Sequence, residues 1–108
     1  MHTPAEIPEV DPHQAQARIE AGAHHVDVRE IDELRHKRIP GAAALPLSSF
    51  LETYEAALPR DRPIVVSCRS GARSGRVTAF LREHDYDAVN LAGGILAWEA
   101  HGLPVEEG

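Results

Sequence analysis

The fold of this chain is decided by residues 63–74, which read Pro63-Ile64-Val65-Val66-Ser67-Cys68-Arg69-Ser70-Gly71-Ala72-Arg73-Ser74. The stretch opens with a continuous run of β-branched residues, which predicts a central strand of a parallel sheet, covered on both faces. From Ser74 onward, apolar residues recur at helical spacing, at Val77, Phe80 and Leu81. In parallel α/β sheets, ligands bind at the end of a strand that a loop joins to a helix. The sequence therefore predicts an α/β fold with a candidate site at residues 68–74.

The rest of the chain alternates strands and helices in the same way, without repeats, low-complexity tracts or linkers. Asp11 followed by Pro12 predicts a helix over about residues 12–21, which Gly22 ends. Ser49 and Glu52 have the spacing of a capping box for a helix that ends before Pro59. The other predicted elements are strands at 25–28, 43–45 and 89–91, helical turns at 30–36 with Ile31 and Leu34 facing inward, a turn at 39–41, and a last helix after Gly93-Gly94 that carries Ile95 and Trp98.

The composition is that of one small globular domain. The 108 residues are 43% hydrophobic and 26% charged, enough for one core, and we predict a single domain over residues 1–108. The net charge of −6 argues against a nucleic-acid partner or binding to an anionic membrane, both of which favour a broad basic face. The start of the chain, residues 1–9, lacks the cationic and apolar pattern of a signal peptide, and no later stretch approaches a membrane span. These features predict a cytoplasmic protein.

Cys68 is the only cysteine, so the chain forms neither an intrachain disulfide nor a multi-thiolate zinc site. It directly follows the predicted central strand, where loop N–H groups, the start of the next helix, and Arg69 and Arg73 place positive charge near the sulfur. Positive charge stabilises the thiolate, which is the nucleophilic form of cysteine. We therefore predict a reactive cysteine rather than an inert core thiol, which is the commoner fate of a lone cysteine.

Cofactor and metal sites are not indicated. The seven histidines show no repeated ligand spacing. Gly93-Gly94 lacks the spacing of a Walker or Rossmann phosphate loop, so it is interpreted as a turn. We predict no cofactor and no metal ion.

Five segments carry a family resemblance that covers nearly the whole chain: Val26-Asp27-Val28-Arg29-Glu30, Ile39-Pro40-Gly41-Ala42, the loop from Cys68 to Ser74, Leu91-Ala92-Gly93-Gly94-Ile95 with Trp98, and Gly102-Leu103-Pro104-Val105. In these segments the chain resembles the single-domain rhodanese-like (sulfurtransferase) family. The resemblance implies a three-layer α/β fold with a mainly parallel central sheet flanked by helices. It also implies a loop that wraps the cysteine so that its amides converge on the sulfur.

The activity that the resemblance implies is sulfur transfer. Cys68 would take a sulfane sulfur from a small-molecule donor, thiosulfate or a persulfide, hold it as a persulfide, and pass it to a thiophilic acceptor, which is cyanide in vitro and a thiol or protein in the cell. The substrate-binding residues would be Arg69, Ser70, Gly71, Ala72, Arg73 and Ser74, whose donors stabilise a charged sulfur as an oxyanion hole stabilises oxygen. Asp27 and Arg29 match the strand-end motif and are expected to support the loop. A thiol with a lowered pKa is already ionised, so no general base is needed.

Alternatives of three kinds remain open. Phosphatases of this fold resemble Cys-x5-Arg, whereas Arg73 gives Cys-x4-Arg and Ser74 stands at the expected arginine position. Arsenate reduction usually requires a second thiol, which would have to come from outside this chain. A non-catalytic or regulatory binding module has the same fold, although such relatives often lack the cysteine.

The chain departs from the family pattern at two places, Lys37-Arg38 and Ser70. Lys37-Arg38 stands where the family usually shows Gly-His, within a basic run over residues 35–38 that either attracts anionic donors or is a solvated helix end. Ser70 stands where the two-domain thiosulfate enzymes have a lysine, which makes a persulfide as strong a donor candidate as thiosulfate. The sequence leaves the donor, the acceptor and the oligomeric state open.

Overall fold

A five-stranded parallel sheet forms the middle of the protein, in a computed structural model that describes residues 7–108. The strands of the described chain are β1 (Glu9–Val10), β2 (His24–Asp27), β3 (Lys37–Arg38), β4 (Ala43–Ala44), β5 (Ile64–Ser67), β6 (Ala88–Leu91) and β7 (Glu106–Glu107). Strands β3 and β7 lie outside the five-stranded sheet. The spatial order in the sheet is β1-β6-β5-β2-β4, with every neighbouring pair parallel. All residues of β5 are buried at its centre, which confirms the predicted central strand.

Helices cover both faces of this sheet. They are α1 (Pro12–Glu20), α2 (Ile31–His36), α3 (Phe50–Ala57), α4 (Ala72–Glu83) and α5 (Gly94–Ala100), with a 3-10 turn at Leu47–Ser49. Side chains of α3 and α4 pack in one cluster with Ile64 and Val66 of β5. Side chains of α1 and α5 pack in a second cluster with Val65, the intervening residue, because successive strand residues point to opposite faces. This arrangement confirms the predicted α/β fold with helices on both sides of a mainly parallel sheet.

The N-terminal residues 1–6, which include His2 and most of the start interpreted as lacking a signal peptide, lie outside the described residues. Within residues 7–108, every helix is too short or too polar to cross a membrane.

Helix α1 begins where the sequence predicts it. The Asp11 carboxylate accepts the backbone N–H of Gln14 at 2.8 Å, and the side-chain carbonyl of Gln14 accepts the backbone N–H of Asp11 at 2.9 Å. Pro12 occupies the first turn, where its missing N–H costs nothing. The cap thus satisfies donors that the helix itself leaves free.

The capping box predicted at Ser49 is wrong. The Ser49 side chain makes no cap hydrogen bond, and its hydroxyl donates back to the carbonyl of Pro46 at 3.4 Å. The 3-10 turn explains the difference, because the backbone N–H of Ser49, which Glu52 would accept in a capping box, already donates to the Pro46 carbonyl at 3.1 Å. Helix α3 directly follows that turn and ends before Pro59, as predicted.

The inward orientation predicted for Ile31 and Leu34 is also wrong. Helix α2 buries none of its residues, and Ile31 is 43% exposed. Both side chains line an open groove beside the edge strand β4. This strand contributes only Ala43 and Ala44, which are too small to cover them.

A small antiparallel ladder was not predicted from the sequence. Strand β3 pairs with β7, so that Lys37 lies opposite Glu107 and Arg38 opposite Glu106. Arg38 Nε is 3.2 Å from Glu106 Oε1, and Lys37 Nζ is 3.5 Å from Glu107 Oε2. Opposite charges across the two strands therefore join the basic run to the acidic end of the described chain.

Two buried polar side chains bridge the middle strands. His25 Nε2 lies 2.8 Å from Ser67 Oγ, between β2 and β5. Burial lowers the pKa of His25 to about 4, although the nearby carboxylate of Asp27 opposes the shift. The imidazole is therefore neutral in the folded protein at neutral pH.

We expect Asp11→Ala to lower the free energy of unfolding by about 1 kcal/mol, because α1 loses its side-chain cap. Urea denaturation measures the change. Glu20→Ala, an exposed substitution at the other end of α1, is expected to change stability by less than about 0.5 kcal/mol. Equal losses in the two variants would contradict the capping role.

The protein should lose stability on acidification through the titration of His25. Between the ordinary histidine pKa of about 6.5 and the folded value of about 4, the unfolded chain binds a proton that the folded protein does not. Stability therefore falls as the pH decreases through this window, by up to about 3 kcal/mol. Urea denaturation at several pH values tests this, and His25→Phe should flatten the profile while His13→Gln, on the surface of α1, should not.

Candidate active site

Cys68 lies at the carboxyl end of β5, where the chain turns into a short loop before α4. The residue is 1% exposed. The start of α5 supports the loop from behind, since the N–H of Ile95 donates to the Cys68 carbonyl at 2.9 Å and that of Leu96 to the Arg69 carbonyl at 3.2 Å. Free N–H groups at the start of one helix thus hold the backbone that carries the sulfur.

The Cys68 sulfur accepts three hydrogen bonds from the far side of the loop. The backbone N–H of Gly71 donates at 3.1 Å, that of Ser74 at 3.4 Å, and the Ser74 hydroxyl at 3.2 Å. Gly71 has φ of +100°, a left-handed conformation that favours glycine and turns its N–H inward. Helix α4 begins at Ala72, so Ser74 is in its first turn, where N–H groups have no helical partner.

These hydrogen bonds control the acidity of the thiol. Burial is the largest single influence and raises the pKa of Cys68. The hydroxyl and N–H of Ser74 and the N–H groups of Gly71 and Ser70 act in the opposite direction and together lower the pKa below its ordinary value. Hydrogen bonds to the thiolate thus stabilise it in a buried position.

Of the other predicted loop residues, three have exposed side chains and Arg73 is bound to a neighbouring helix. The side chains of Arg69, Ser70 and Ala72 are exposed, and Ser70 directs only its backbone N–H toward the sulfur. Arg73 forms two parallel hydrogen bonds to the Glu33 carboxylate of α2, at 2.7 and 2.8 Å. These bonds lower the pKa of Glu33 to about 2 and raise that of Arg73. Of the two arginines that the sequence places beside Cys68, Arg73 is therefore committed to Glu33.

Asp27 and Arg29 form a buried ion pair at the end of β2. Arg29 Nη2 is 2.9 Å from Asp27 Oδ2 and also donates to the Lys37 carbonyl at 2.9 Å. The backbone N–H of Arg29 donates to Asp27 Oδ1 at 2.9 Å. These bonds join the end of β2 to β3, and support of the cysteine loop by the pair stays a prediction.

A cavity of about 330 Å³ opens between the loop, α2 and α5. Its walls combine charged and apolar side chains: Arg29, Glu33, His36, Lys37, Arg69, Ile95, Leu96 and Glu99. Lys37 Nζ is 2.8 Å from Glu99 Oε2, a contact that raises the pKa of Lys37. Arg69 makes no ion pair with a residue of the described chain. Arg69, which follows Cys68 in the chain, is thus an uncompensated cation on the wall of this cavity.

Two residues close to the loop were not singled out from the sequence. Glu33 binds Arg73 across 40 residues of chain, and the Asn90 side chain donates to the Gly71 carbonyl at 3.1 Å. No local motif signals either contact, because each depends on how separate elements pack. Within the described residues, no group of three His, Cys, Asp or Glu side chains is placed to hold a metal ion.

Comparison with known proteins places this geometry in a wider context. The family profile described as "Rhodanese-like domain" matches residues 11–101. A protein named "Sulfurtransferase" from Allochromatium vinosum is 43% identical over 81 residues, which cover 74% of this chain and 75% of that protein. "Thiosulfate sulfurtransferase GlpE" from Actinobacillus succinogenes is 36% identical over 103 residues, 91% of this chain and 89% of that protein. Among solved structures, a rhodanese-related protein from Thermoplasma volcanium matches with a TM-score of 0.85 and 30% identity, covering 92% of this chain and 97% of the other.

We expect Ser74→Ala to raise the pKa of the Cys68 thiol, because the sulfur loses the hydroxyl donor at 3.2 Å. The pH dependence of the rate of alkylation by iodoacetamide measures the pKa. Ser70→Ala is the matched control, since the exposed Ser70 hydroxyl can be removed while the backbone N–H remains. If both variants titrate like the unmodified protein, the Ser74 hydroxyl does not stabilise the thiolate.

Proposed function

This chain belongs to the rhodanese-like domain family, and from that premise we propose that Cys68 carries a sulfane sulfur from a donor to a thiophilic acceptor. The observation that supports this most directly is the set of three hydrogen bonds on the Cys68 sulfur. They favour the anionic form of the sulfur, which is the form that attacks a donor. We propose that donors of the same loop also stabilise the negative charge of a persulfide on Cys68.

The proposed cycle balances without a cofactor. The Cys68 thiolate attacks the outer sulfur of thiosulfate, the sulfur–sulfur bond of the donor breaks, and sulfite leaves with its electron pair while Cys68 becomes a persulfide anion. A persulfide donor reacts in the same way and releases its thiolate. Attack on the outer sulfur by cyanide, or by the thiolate of a small molecule or protein, then restores the Cys68 thiolate. Each step exchanges one nucleophile for another, so no proton has to be removed from carbon.

The cavity beside the loop supports an anionic donor. Arg69 is exposed at its edge and is not engaged in an ion pair with a described residue, so its charge attracts an anion toward Cys68. Lys37 and Arg38, where this chain departs from the family pattern, are instead paired with Glu99 and Glu106. We therefore assign donor attraction to Arg69 rather than to the basic run.

The contacts of Arg73 favour sulfur transfer over phosphoryl transfer. A phosphatase of this kind requires an arginine that holds the phosphate with two hydrogen bonds. Arg73 directs its two donors to Glu33 instead. Arsenate reduction within this chain is disfavoured because Cys68 is its only cysteine. A carrier with a single free thiol suits a reducing compartment, and we propose the cytoplasm.

Incubation with thiosulfate, and separately with a low-molecular-weight persulfide, tests the proposal by intact mass spectrometry. We expect one added sulfur atom with at least one donor, and its removal by cyanide or dithiothreitol. Cys68→Ser should remain unloaded, whereas Ser70→Ala should load. A protein that takes up no sulfur from either donor, or a Cys68→Ser variant that still does, would overturn the proposal and favour a binding module.

A further inference from the structure

Asn90 is a fully buried amide on β6, the strand next to the one that ends at Cys68. The strand register places it opposite Val66 of β5 and Glu9 of β1, so neighbouring strands hold its backbone on both sides. Its side-chain Nδ2 donates to the carbonyl of Gly71 at 3.1 Å and to Glu9 Oε2 at 2.9 Å. Both hydrogens of the amide are therefore used, which fixes the orientation of its plane.

The Gly71 carbonyl is the point at which the loop becomes helix α4. It accepts the N–H of Gly75 at 3.0 Å as well as the Asn90 amide, while the N–H of the same residue donates to the Cys68 sulfur. Glycine imposes little restriction on its own φ and ψ, so contacts from outside must hold Gly71 in place. The next donor to the sulfur, Ser74, follows in the helical turn that this carbonyl starts.

Helix α4 also packs directly on the Asn90 amide. A Cβ atom at Gly75 would lie 3.5 Å from Asn90 Nδ2, and one at Gly71 would lie 3.8 Å from it. The amide thus lies beside Gly71, which precedes α4, and beside Gly75, within α4. If the Asn90 amide were displaced, both the Gly71 carbonyl and the first turn of α4 would lose this contact.

The side-chain oxygen of Asn90 indicates that the residue does more than fill space. Asn90 Oδ1 is buried and has no hydrogen-bond partner among the described residues, which costs free energy. An apolar side chain of similar size would fill the same space without that cost. What it would not supply is the donor to the Gly71 carbonyl.

We infer that Asn90 is a positioning residue, which holds Gly71 and the first turn of α4 so that their N–H groups converge on the Cys68 sulfur. The inference rests on the proposed function only in taking this sulfur as the reacting atom. The charged groups on the surrounding elements are Glu9 on β1, Arg69 in the loop, the Arg73–Glu33 pair and the Asp27–Arg29 pair. A neutral substitution at Asn90 changes none of these charges. A change in the pKa of the Cys68 thiol would therefore report a movement of the N–H groups that bind the sulfur.

The experiment is the pH profile of Cys68 alkylation by iodoacetamide in protein that has met no sulfur donor. For Asn90→Ala we expect the thiol pKa to rise by at least about half a unit, or about threefold less thiolate at a pH below both values. Val89→Ala is the matched control, because Val89 is the buried neighbour on β6 that packs in the opposite cluster. It should lose stability with no change in the thiol pKa.

Asn90→Leu provides a second variant that fills the space, for use if Asn90→Ala does not fold by circular dichroism. A thiol pKa that stays at the native value in a folded Asn90 variant overturns the inference, as does an equal shift in Val89→Ala. The proposed function is judged separately by sulfur loading of the unmodified protein. Loading with an unmoved pKa removes the positioning role alone, and a moved pKa without loading removes the sulfur-carrier proposal alone.

Discussion

A thiolate inside a protein has to receive from its surroundings the hydrogen bonds that water would otherwise give. Burial alone makes the Cys68 thiol a weaker acid, and only the donors from Gly71, Ser70 and Ser74 reverse this effect. Those donors come from a loop and a helix start, where backbone N–H groups are free of helical partners. The sheet, the loop and both adjoining helices therefore serve one requirement, which is to keep a few N–H groups directed at one sulfur atom.

The loop meets this requirement because its outward-facing carbonyls are also held. The first turn of α5 takes the carbonyls of Cys68 and Arg69, and Asn90 takes that of Gly71. These three carbonyls are thereby fixed, while the N–H groups of Ser70 and Gly71 face the sulfur. The long-range ion pair of Arg73 with Glu33 adds a link from α4 to α2, on the wall of the cavity.

Local features of the sequence predicted the parts of the fold that depend on local chemistry. The buried run at residues 64–67, the Asp11 cap and the glycine turn before α5 are set by residues close to one another in the chain. The loop donors were expected from the family resemblance instead. The Ser74 hydroxyl donates to the Cys68 sulfur, whereas the hydroxyl of Ser70 is exposed.

The capping box at Ser49 failed for a local reason, the adjoining 3-10 turn. The other errors share one physical cause, which is that packing between distant segments changes what a local pattern does. Ile31 has the spacing of a core residue, but the edge strand beneath it offers only small side chains. Arg73 and Lys37 look like free cations in the sequence, whereas folding brings Glu33 and Glu99 to them.

Gly94, the first residue of α5, lies so close to the cysteine loop that only a residue without a side chain fits there. A Cβ atom at this position would overlap the carbonyl oxygens of Cys68 and Arg69. The loop could make room only by moving outward, and that movement would turn its N–H groups away from the thiolate. The acid strength of one cysteine is in this way coupled to the missing methyl group of a residue far along the chain, so a change as small as glycine to alanine in a helix would register as a change in nucleophilicity.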